Sequence, residues 1–494
     1  MSFLWWQSVY FDCVSDEVCA ALKNLKTHTA TGADGITSWM LKSFAAEIAP
    51  SIASLFNLSI SSGKVPAAWK CSNIVPIPKD NSKANNVHFY RPISLLPIIS
   101  KVLERHIYTH LLEFVNSGNL LSDQQFGFRK GRSTVVPLLL STHQWHSYLE
   151  KKQKVACVFF DIKKAFDSVP QQALLNKLYH LCIPKPLFVW LTNYLRLRFQ
   201  RVVLKGVSST WLPVSSGVPQ GSILGPLLFL LYINNITCLR FSSNTKILLF
   251  ADDIMLYKPI SSNGDFEAFQ NDINLINQWM CNNHLNLNAG KTKFLLISRS
   301  KSSVNTCPNL HVNGLPIERV HHFKYLGVWI SDDLSWSKHI EFVSCKARRL
   351  LGYLYRMFSP HCSLEAILHM YKCQVLPILE YGCIVWDPHL KKDQLLLENI
   401  QKFAVKIATK SWNSSTHHTV YLPSLSTRRQ YFKLLYMYKF LNGLHFCPLG
   451  FVSFHSNPNR HVCHARHLLQ PFARTVSYYN SFFYKYCTAL ELIT

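Results

Sequence analysis

The chain is poor in acidic residues and contains no long apolar run. Lys and Arg together number 52 but Asp and Glu only 27, so the formal net charge is +25. Such an excess of positive charge destabilises a compact chain by self-repulsion, and it usually indicates that the protein binds a polyanion. We favour nucleic acid over a membrane surface because no long basic amphipathic helix is evident. The apolar stretch at 222–233 is interrupted by Gly225 and Pro226, well short of the roughly 18 residues of a membrane span.

Paired cysteines are also absent. The 15 cysteines are irregularly spaced and form no CxxC pair, which argues against a disulfide framework and is typical of reduced thiols inside a cell. Residues 461–467 hold three histidines, but Cys463 is the one thiol among them, so we predict no zinc site there. The N-terminus lacks a basic head and a small-residue cleavage site. We therefore expect no signal peptide and an intracellular protein of the nucleus or cytoplasm.

Repeats and low-complexity tracts are missing as well, and 494 residues are too many for a single hydrophobic core. Helical spacing fills the first 60 residues, and prolines split residues 71–96 into strand-like pieces. Strands and helices then alternate irregularly up to residue 330, which indicates an α+β sheet with helices on one face. We predict four regions: an N-terminal helical extension (1–60), a mixed helix and strand region (61–330), a helical region (331–410) and a basic C-terminal region (411–494).

Short apolar runs and helical periodicity place the elements of the middle region. The predicted elements are a strand at 155–160, a hairpin at 247–257, a helix at 266–283 and strands at 294–298 and 323–330.

The clearest chemical signal is the sequence LLFADDIMLY at residues 248–257. Asp252 and Asp253 stand side by side between two apolar runs, at the predicted tip of a hairpin. A plain turn is the alternative interpretation, but no Gly or Asn follows to provide the usual hairpin turn. Adjacent carboxylates repel each other, and the apolar flanks remove part of their hydration. A bound divalent cation would offset that cost.

A third carboxylate, Asp161, ends the buried strand predicted at 155–160. Mg²⁺ prefers carboxylate oxygens together with substrate phosphates. Two such ions clamp the attacking and leaving oxygens of a nucleotidyl transfer. One aspartate from a strand and a pair from a neighbouring hairpin are a sufficient set of ligands.

Around these carboxylates the sequence resembles the reverse transcriptases of non-LTR (LINE-type, jockey-like) retrotransposons. An upstream segment, KTHTATGADGI at 26–36, resembles the family except that Ala33 stands where proline is commoner. The matching motifs that follow are, in order, NIVPIPK (73–79), YRPISLL (90–96), QFGFRKGRST (125–134), SSGVPQGSILGPLLF (215–229), LNLNAGKTKFLLIS (285–298) and FKYLGVWI (323–330).

The resemblance implies an α+β right hand of fingers and palm (61–330), with an antiparallel palm sheet, a helical thumb (331–410) and a basic C-terminal tail. It implies an RNA-directed DNA polymerase that uses two Mg²⁺ ions, with Mn²⁺ as an alternative. Its partners would be an RNA template, a DNA primer and deoxynucleoside triphosphates, with no membrane and no obligate protein partner.

The resemblance also implies roles for individual residues. It makes Asp161, Asp252 and Asp253 metal ligands and Lys291 the group that protonates pyrophosphate, although GKT alone is a weak motif. Phe166 becomes the gate beneath the sugar, although alone it would be interpreted as core. The nucleotide-binding residues it implies are Lys79, Arg91, Gln220 and Gly221. Asp167 we interpret as structural, an N-cap or turn residue.

Basic residues dominate the C-terminal part, where residues 399–494 contain Glu491 as their one acid. Lys402, Lys406 and Lys410 recur at helical spacing, and Ile400, Phe403 and Ile407 would form the opposite, buried face. A solvated helix surface is the alternative. We predict a nucleic-acid-binding surface instead, made of the three lysines with Arg428 and Arg429.

Two rival functions stay open at this point. An RNA-templated RNA polymerase would use the same metal chemistry, but Phe166 leaves no room for a ribose 2′-hydroxyl. An inactive element copy that only binds RNA is the alternative outside enzymology, and the presence of all three carboxylates argues against it.

Overall fold

The computed structural model describes residues 12–79, 90–299, 308–358, 362–409, 422–447 and 473–483. Helices and strands are mixed along these ranges, as the sequence predicts. None of the helices in them combines the length and the apolar character needed to cross a lipid bilayer. The cysteines in the same ranges are all free thiols. The histidine-rich residues 461–467 lie outside the described ranges.

The helices alternate with strands up to residue 282, and they are the main elements among the described residues from 337 onward. A π-helical turn at Tyr371–Val375 joins two of them. The helices are α1 (Ser15–Lys23), α2 (Ser38–Ser43), α3 (Ala45–Ser62), α4 (Ile98–Ser117), α5 (Val135–Glu150), α6 (Ala165–Ser168), α7 (Gln171–His180), α8 (Lys185–Leu195), α9 (Leu224–Ile233), α10 (Asn263–Asn282), α11 (Ser337–Phe358), α12 (Leu364–Met370), α13 (Leu376–Glu380), α14 (Cys383–Trp386), α15 (Lys391–Thr409), α16 (Leu425–Leu441) and α17 (Val476–Tyr479).

The strands are concentrated between residues 71 and 331. They are β1 (Cys71–Pro78), β2 (Tyr90–Leu95), β3 (Lys154–Phe160), β4 (Arg198–Leu204), β5 (Val207–Ser208), β6 (Leu212–Val214), β7 (Lys246–Phe250), β8 (Asp253–Ile260), β9 (Lys293–Ile297), β10 (His311–Val312), β11 (Leu315–Pro316), β12 (Glu318–Arg319), β13 (His322–Tyr325) and β14 (Val328–Ser331).

Two five-stranded sheets organise these strands. The central sheet has the order β12-β9-β3-β8-β7 and is antiparallel except where β12 meets β9. The second sheet has the order β2-β1-β4-β5, with β6 also paired to β4. Its β1 and β4 run parallel. The strand that ends in the candidate carboxylate, β3, therefore lies in the middle of the central sheet.

The central sheet is buried on both faces, so the prediction of helices on one face is wrong. Ala156, Val158 and Phe160 point into one apolar cluster with α4, α9 and α10. Val155 and Cys157 point into a second cluster with α5, α11 and α15. Both faces are covered because β3 is an unbroken apolar run. Successive side chains of a strand point to opposite faces, so this run presents hydrophobic side chains on both.

The two apolar clusters cross the boundaries between the four predicted regions. Val18, Leu22 and Phe56 of the N-terminal helices share a cluster with the central sheet. Met437 and Phe483 of the C-terminal part share the other. Burial of apolar side chains is the main favourable contribution to folding. The N-terminal part therefore stabilises the core on one face of the central sheet, and the C-terminal part stabilises the core on the other face.

Two local features follow from turn and cap chemistry. The strand predicted at 323–330 is instead a hairpin of β13 and β14, because Leu326 and Gly327 both adopt positive φ, 45° and 87°. That is the geometry of a tight hairpin turn. The helix predicted at 266–283 begins earlier, at Asn263, because Ser262 and Asp265 form a reciprocal capping box.

Candidate active site

The candidate carboxylates meet where the central strands β3 and β8 pair at one end, and this row of strand ends is called the sheet edge below. In the antiparallel pairing of β3 with β8, Phe160 faces Ile254. The next positions along the two strands are Asp161 and Asp253, and facing Cα atoms in such a ladder are about 5 Å apart. Asp252 lies in the two-residue turn between β7 and β8. The pairing register therefore brings all three aspartates together from positions 91 residues apart in sequence.

The electrostatics of the three aspartates reflect this proximity. The pKa of Asp253 is raised to about 6. Partial burial is the larger cause, and repulsion from Asp252 and Asp161 is the smaller one. Burial also raises the pKa of Asp252, and Asp161 adds to the effect. Arg91 and Lys79 act in the opposite direction on the pKa of Asp252. The two basic residues predicted to bind the triphosphate therefore lie within electrostatic range of the carboxylates.

The three carboxylates are ligands of the kind that a hard divalent cation prefers, although the side chains are not arranged as a complete set of metal ligands. Within the described ranges, no three or more His, Cys, Asp or Glu side chains are grouped so that they could hold a metal ion. Repulsion between neighbouring carboxylates nevertheless adds to the effect of burial and helps to raise the pKa values of Asp252 and Asp253. A cation bound by their oxygens would relieve that repulsion, and Mg²⁺ is bound through one or two carboxylates plus substrate phosphates.

A loop before β9 packs directly against the end of β3. The backbone N–H of Asn288 donates to the carbonyl of Asp161 at 2.8 Å, and the N–H of Asp161 approaches the Thr292 hydroxyl at 3.4 Å. Lys291 belongs to this loop and is exposed. The structure therefore places Lys291 on a loop that contacts the end of the strand bearing Asp161.

Phe166 and Gln220 are brought together by backbone and side-chain contacts. The N–H of Val218 donates to the carbonyl of Phe166 at 2.9 Å. The ring of Phe166 stacks on Phe229, with centroids 4.5 Å apart. The side-chain amide of Gln220 donates to Asp167 at 3.0 Å. Hydrogen bonds thus connect the loop with the GVPQGS sequence to the segment that follows β3.

Asp167 has one of the two structural roles predicted for it. It lies inside α6, a single helical turn whose N-cap is Lys164, so the N-cap interpretation is wrong and the turn interpretation is confirmed. Burial raises the pKa of Asp167, and its hydrogen bond from Gln220 opposes that rise. Asp167 is therefore the residue that orients the predicted nucleotide-binding side chain of Gln220.

Gly221 is required by close packing of the chain on itself. It has a φ of 114°, and a Cβ atom there would lie 2.6 Å from the carbonyl oxygen of Ser94. The carbonyl of its neighbour Gln220 accepts a hydrogen bond from the N–H of Ser94 at 2.7 Å. The loop is consequently seated on β2, the strand that carries Arg91.

A cavity of about 380 Å³ lies beside this loop and the second sheet. Its lining includes Lys164, Asp167, Arg201 and Gln220. Arg91 pairs across β1 and β2 with Ile77, and both Arg91 and Lys79 are exposed. The cavity therefore combines cationic and hydrogen-bonding groups.

The predicted basic surface of the C-terminal part is only partly present. Lys402 is exposed on α15 and Lys406 is half-buried, while Ile400 and Ile407 are buried as predicted. Phe403 is half-buried against the same core. Lys410 lies outside the described ranges.

Arg428 and Arg429 are held by acids from earlier segments. Arg428 forms a bidentate pair with Glu380. Arg429 is only 1% exposed and bonds Asp387 at 2.6 Å, and Lys433 bonds the same aspartate at 2.6 Å. A buried guanidinium cannot reach a phosphate, so the prediction that Arg429 binds nucleic acid is wrong. Residues 399–494 contain neither of these acids, and folding brings Glu380 and Asp387 in from earlier segments.

This buried cluster leads to a stability prediction. Asp387→Ala should lower the free energy of unfolding by about 3–5 kcal/mol, because it leaves Arg429 and Lys433 buried without their shared carboxylate. Urea unfolding followed by circular dichroism measures the change. The control is Asp333→Ala, at an exposed aspartate. A loss for Asp387→Ala no larger than that of the control would contradict the structural role assigned to the cluster.

Comparison with known proteins agrees with this geometry. Residues 77–330, just over half of the chain, match the family described as Reverse transcriptase (RNA-dependent DNA polymerase). The chain belongs to the reverse transcriptase family. The match includes Asp161, Asp252 and Asp253 and ends at the β13–β14 hairpin.

Similar curated proteins confirm the resemblance to non-LTR retrotransposons. The probable RNA-directed DNA polymerase from transposon X-element of Drosophila melanogaster is 29% identical over 418 residues, which cover 83% of this chain and 46% of that protein. The RNA-directed DNA polymerase from mobile element jockey of the same species is 29% identical over 393 residues, covering 77% and 42%. The chain thus spans less than half the length of these relatives.

A further relative is matched over a smaller part of the chain. The Retrovirus-related Pol polyprotein from type-1 retrotransposable element R2 of Nasonia vitripennis is 28% identical over 319 residues, covering 61% of this chain and 29% of that protein.

Proposed function

We propose that this chain copies RNA into DNA by nucleotidyl transfer at the sheet edge that carries Asp161, Asp252 and Asp253. The observation that carries the proposal is the β3–β8 register, which makes Asp161 and Asp253 the next facing pair beside Asp252. Membership of the reverse transcriptase family supports the reaction class.

In the proposed reaction the 3′-hydroxyl oxygen of a primer bonds to the α-phosphorus of a deoxynucleoside triphosphate. The bond from that phosphorus to the bridging oxygen breaks, pyrophosphate leaves and the hydroxyl loses its proton. Two Mg²⁺ ions, or Mn²⁺ in their place, supply charge stabilisation for the attacking and leaving oxygens when bound. The three aspartates would hold these cations through their carboxylate oxygens.

Basic residues around the carboxylates would neutralise the triphosphate. Arg91 and Lys79 oppose the rise in the pKa of Asp252, which supports their closeness to the site. Arg91 can grip phosphate oxygens with two parallel hydrogen bonds, whereas Lys79 acts as a point charge. Lys291, on the loop bonded to the end of β3, would donate a proton to the departing pyrophosphate.

We further propose a right-hand arrangement for the described elements. The second sheet with α4 would form the fingers, the central sheet the palm, and α11 to α15 the thumb, within the predicted boundaries 61–330 and 331–410. The apolar clusters support one refinement, since the N-terminal helices and α16 pack on the same cores as the palm. They would act as parts of the hand and not as separate extensions.

The nucleic-acid surface would combine α15 with the exposed side of α11. The last four turns of α11 contain Arg348, Arg349, Tyr353 and Arg356 as exposed residues and no acid. Arginine neutralises phosphates, and aromatic side chains stack on bases or sugars. With Lys402 on the neighbouring α15, these groups would hold the RNA template and its duplex with the growing DNA.

Salt dependence tests the contribution of α15. Replacing Lys402, Lys406 and Lys410 with Gln should lower the slope of log K against log salt by roughly two units, about 0.7–0.9 for each phosphate that the chain no longer neutralises. Fluorescence anisotropy with a labelled RNA measures the slope. Turnover on saturating primer–template should persist.

A charge-matched control separates local contacts from total charge. Lys23, Lys151 and Lys152 are exposed on other elements, and their triple replacement by Gln removes the same three charges. Equal slopes for the two triple variants would show that α15 makes no specific phosphate contacts.

Primer extension tests the proposed function. The purified chain, an RNA template with an annealed DNA primer, deoxynucleoside triphosphates and Mg²⁺ should yield extended DNA, and omission of Mg²⁺ should prevent it. If the chain binds RNA but extends no primer with either Mg²⁺ or Mn²⁺, the proposed polymerase function is wrong. The alternative of a protein that only binds RNA would then hold.

A further inference from the structure

The segment with the sequence QFGFR extends the central sheet beside the turn that carries Asp252. The N–H of Leu249 donates to the carbonyl of Gln124 at 2.9 Å, and the N–H of Phe126 donates to the carbonyl of Leu249 at 2.8 Å. These bonds form a parallel bridge between Gln125 and Leu249 in β7. Gln125 is thereby fixed next to the turn that follows β7.

The side chain of Gln125 reaches into that turn. Its Oε1 accepts hydrogen bonds from the N–H of Ala251 at 2.9 Å and from the N–H of Gly127 at 2.8 Å. The residue is completely buried. Both partners are donors, so only the carbonyl end of the amide can face them. The orientation of the side chain is therefore determined by its surroundings.

Ala251 needs such support because its backbone is strained. Its φ is 55°, in the left-handed region, which is unfavourable for a residue with a Cβ atom. Ala251 immediately precedes Asp252 and Asp253. A change in its φ would redirect both carboxylates, because they follow it in the same tight turn.

Gly127 presses on the turn from the same side. A Cβ atom at Gly127 would collide with the backbone nitrogen of Ala251. The glycine thus permits a backbone-to-backbone contact that any other residue would block. The hydrogen bond and the contact together leave Ala251 little freedom to leave its left-handed conformation.

The C-terminal part braces this segment from behind. The carbonyl of Gly131 accepts the N–H of Phe446 at 3.1 Å. The guanidinium of Arg132 lies 3.6 Å from the centre of the Phe446 ring and also donates to the carbonyl of Gln125 at 3.3 Å. A chain of contacts therefore runs from Phe446 through Arg132 to Gln125, which holds the turn.

We propose that Gln125 is a positioning residue of the catalytic turn, whose side-chain carbonyl holds Ala251 in the left-handed conformation and so fixes the direction of Asp252 and Asp253. This inference rests on the proposed polymerase function. Gln125 itself touches no reacting atom. Its loss should therefore lower turnover and leave primer–template affinity unchanged.

The test replaces the carbonyl and keeps the packing. Gln125→Met has nearly the same shape but cannot accept the two N–H groups. Turnover at saturating primer–template and nucleotide should fall about 10- to 100-fold, the scale of an approximately 1 Å misplacement of catalytic groups. The dissociation constant for primer–template should stay within about twofold, since small changes of that size are within ordinary variation between variants.

The chain offers a matched control in the preceding residue. Gln124 belongs to the same ladder, and its side-chain Oε1 is buried without a hydrogen-bond partner among the described residues. Gln124→Met should therefore retain turnover close to that of the wild type. Equal turnover for the two methionine variants would overturn the inference.

A double-mutant cycle keeps the test decisive if Gln125→Met also lowers stability. Glycine adopts a φ of 55° without strain, so the clamp is less necessary in an Ala251→Gly background. Gln125→Met should cost at least about fivefold less turnover there than in the wild type. Additive effects of the two changes would show that Gln125 does not act through Ala251.

The outcomes separate this inference from the proposed function. A wild-type chain without any extension activity would reject the polymerase and, with it, the role of Gln125. A wild type that extends primers, together with additive effects in the cycle, would reject the role of Gln125 alone.

Discussion

Asp161→Asn and Asp252→Asn should each abolish primer extension while RNA binding is retained or becomes slightly stronger. Asparagine keeps the size of the side chain but removes the charge that binds a divalent cation. Metal stabilisation of the developing charges is worth several kcal/mol, and each 1.4 kcal/mol changes the rate about tenfold. A loss of about 1,000-fold or more is therefore expected. RNA binding should not suffer, because the change removes a charge that repels phosphates.

The control for these variants is Asp16→Asn, at an exposed aspartate of α1. It makes the same chemical change away from the sheet edge and should preserve extension. Initial rates on a labelled primer and RNA affinity by anisotropy are the two measurements. Substantial synthesis by either Asp161→Asn or Asp252→Asn would remove the assignment of these residues as metal ligands.

Phe166→Ala should raise ribonucleotide incorporation relative to deoxynucleotide incorporation by tens- to hundreds-fold, on the scale of one pocket group. The ring of Phe166 is half-buried and stacked on Phe229, with Phe128 at its edge. This packing would hold the ring in a fixed place beneath the sugar. Alanine would open the space that a 2′-hydroxyl needs.

The ratio of kcat/KM for a ribonucleotide and the matching deoxynucleotide measures this change, and it is insensitive to the fraction of active protein. Phe166→Tyr retains the ring and should keep the ratio close to that of the wild type. If the alanine variant also keeps it, Phe166 is a core residue and its side chain does not contact the sugar.

The parts of the fold near the carboxylates were predictable because they depend on local patterns. The apolar run before Asp161 and the apolar flanks of Asp252 and Asp253 identify β3 and the β7–β8 hairpin. The same run also indicates why the prediction of a one-faced sheet failed. Hydrophobic residues at every position of β3 require cover on both sides, whereas a one-faced sheet alternates.

The electrostatic environment of the C-terminal part was not predictable from a sequence window. Arg428 and Arg429 stand in a segment without acids, and their partners Glu380 and Asp387 are more than 40 residues earlier. An excess of cations along the chain does not establish an excess in space. Lys402 remains a candidate because it is exposed on α15.

Gln125 was missed for a related reason. Its motif was recognised as part of the family pattern, but its hydrogen bond joins residues 126 positions apart. The one signal in sequence was negative, namely that the turn containing Asp252 lacks the Gly or Asn of an ordinary hairpin. A turn with unsuitable residues needs support from elsewhere, and that support is a side chain from another segment.

Metal binding provides the most direct measurement of whether the three aspartates form one site. Mn²⁺ titration followed by electron paramagnetic resonance, with primer–template and a nucleotide present, should detect two bound ions in the wild-type chain. Asp161→Asn and Asp252→Asn should each lose at least one of them, while Asp16→Asn should lose none. Unchanged Mn²⁺ binding in both site variants would contradict a shared site of Asp161, Asp252 and Asp253, whatever the polymerase assay shows.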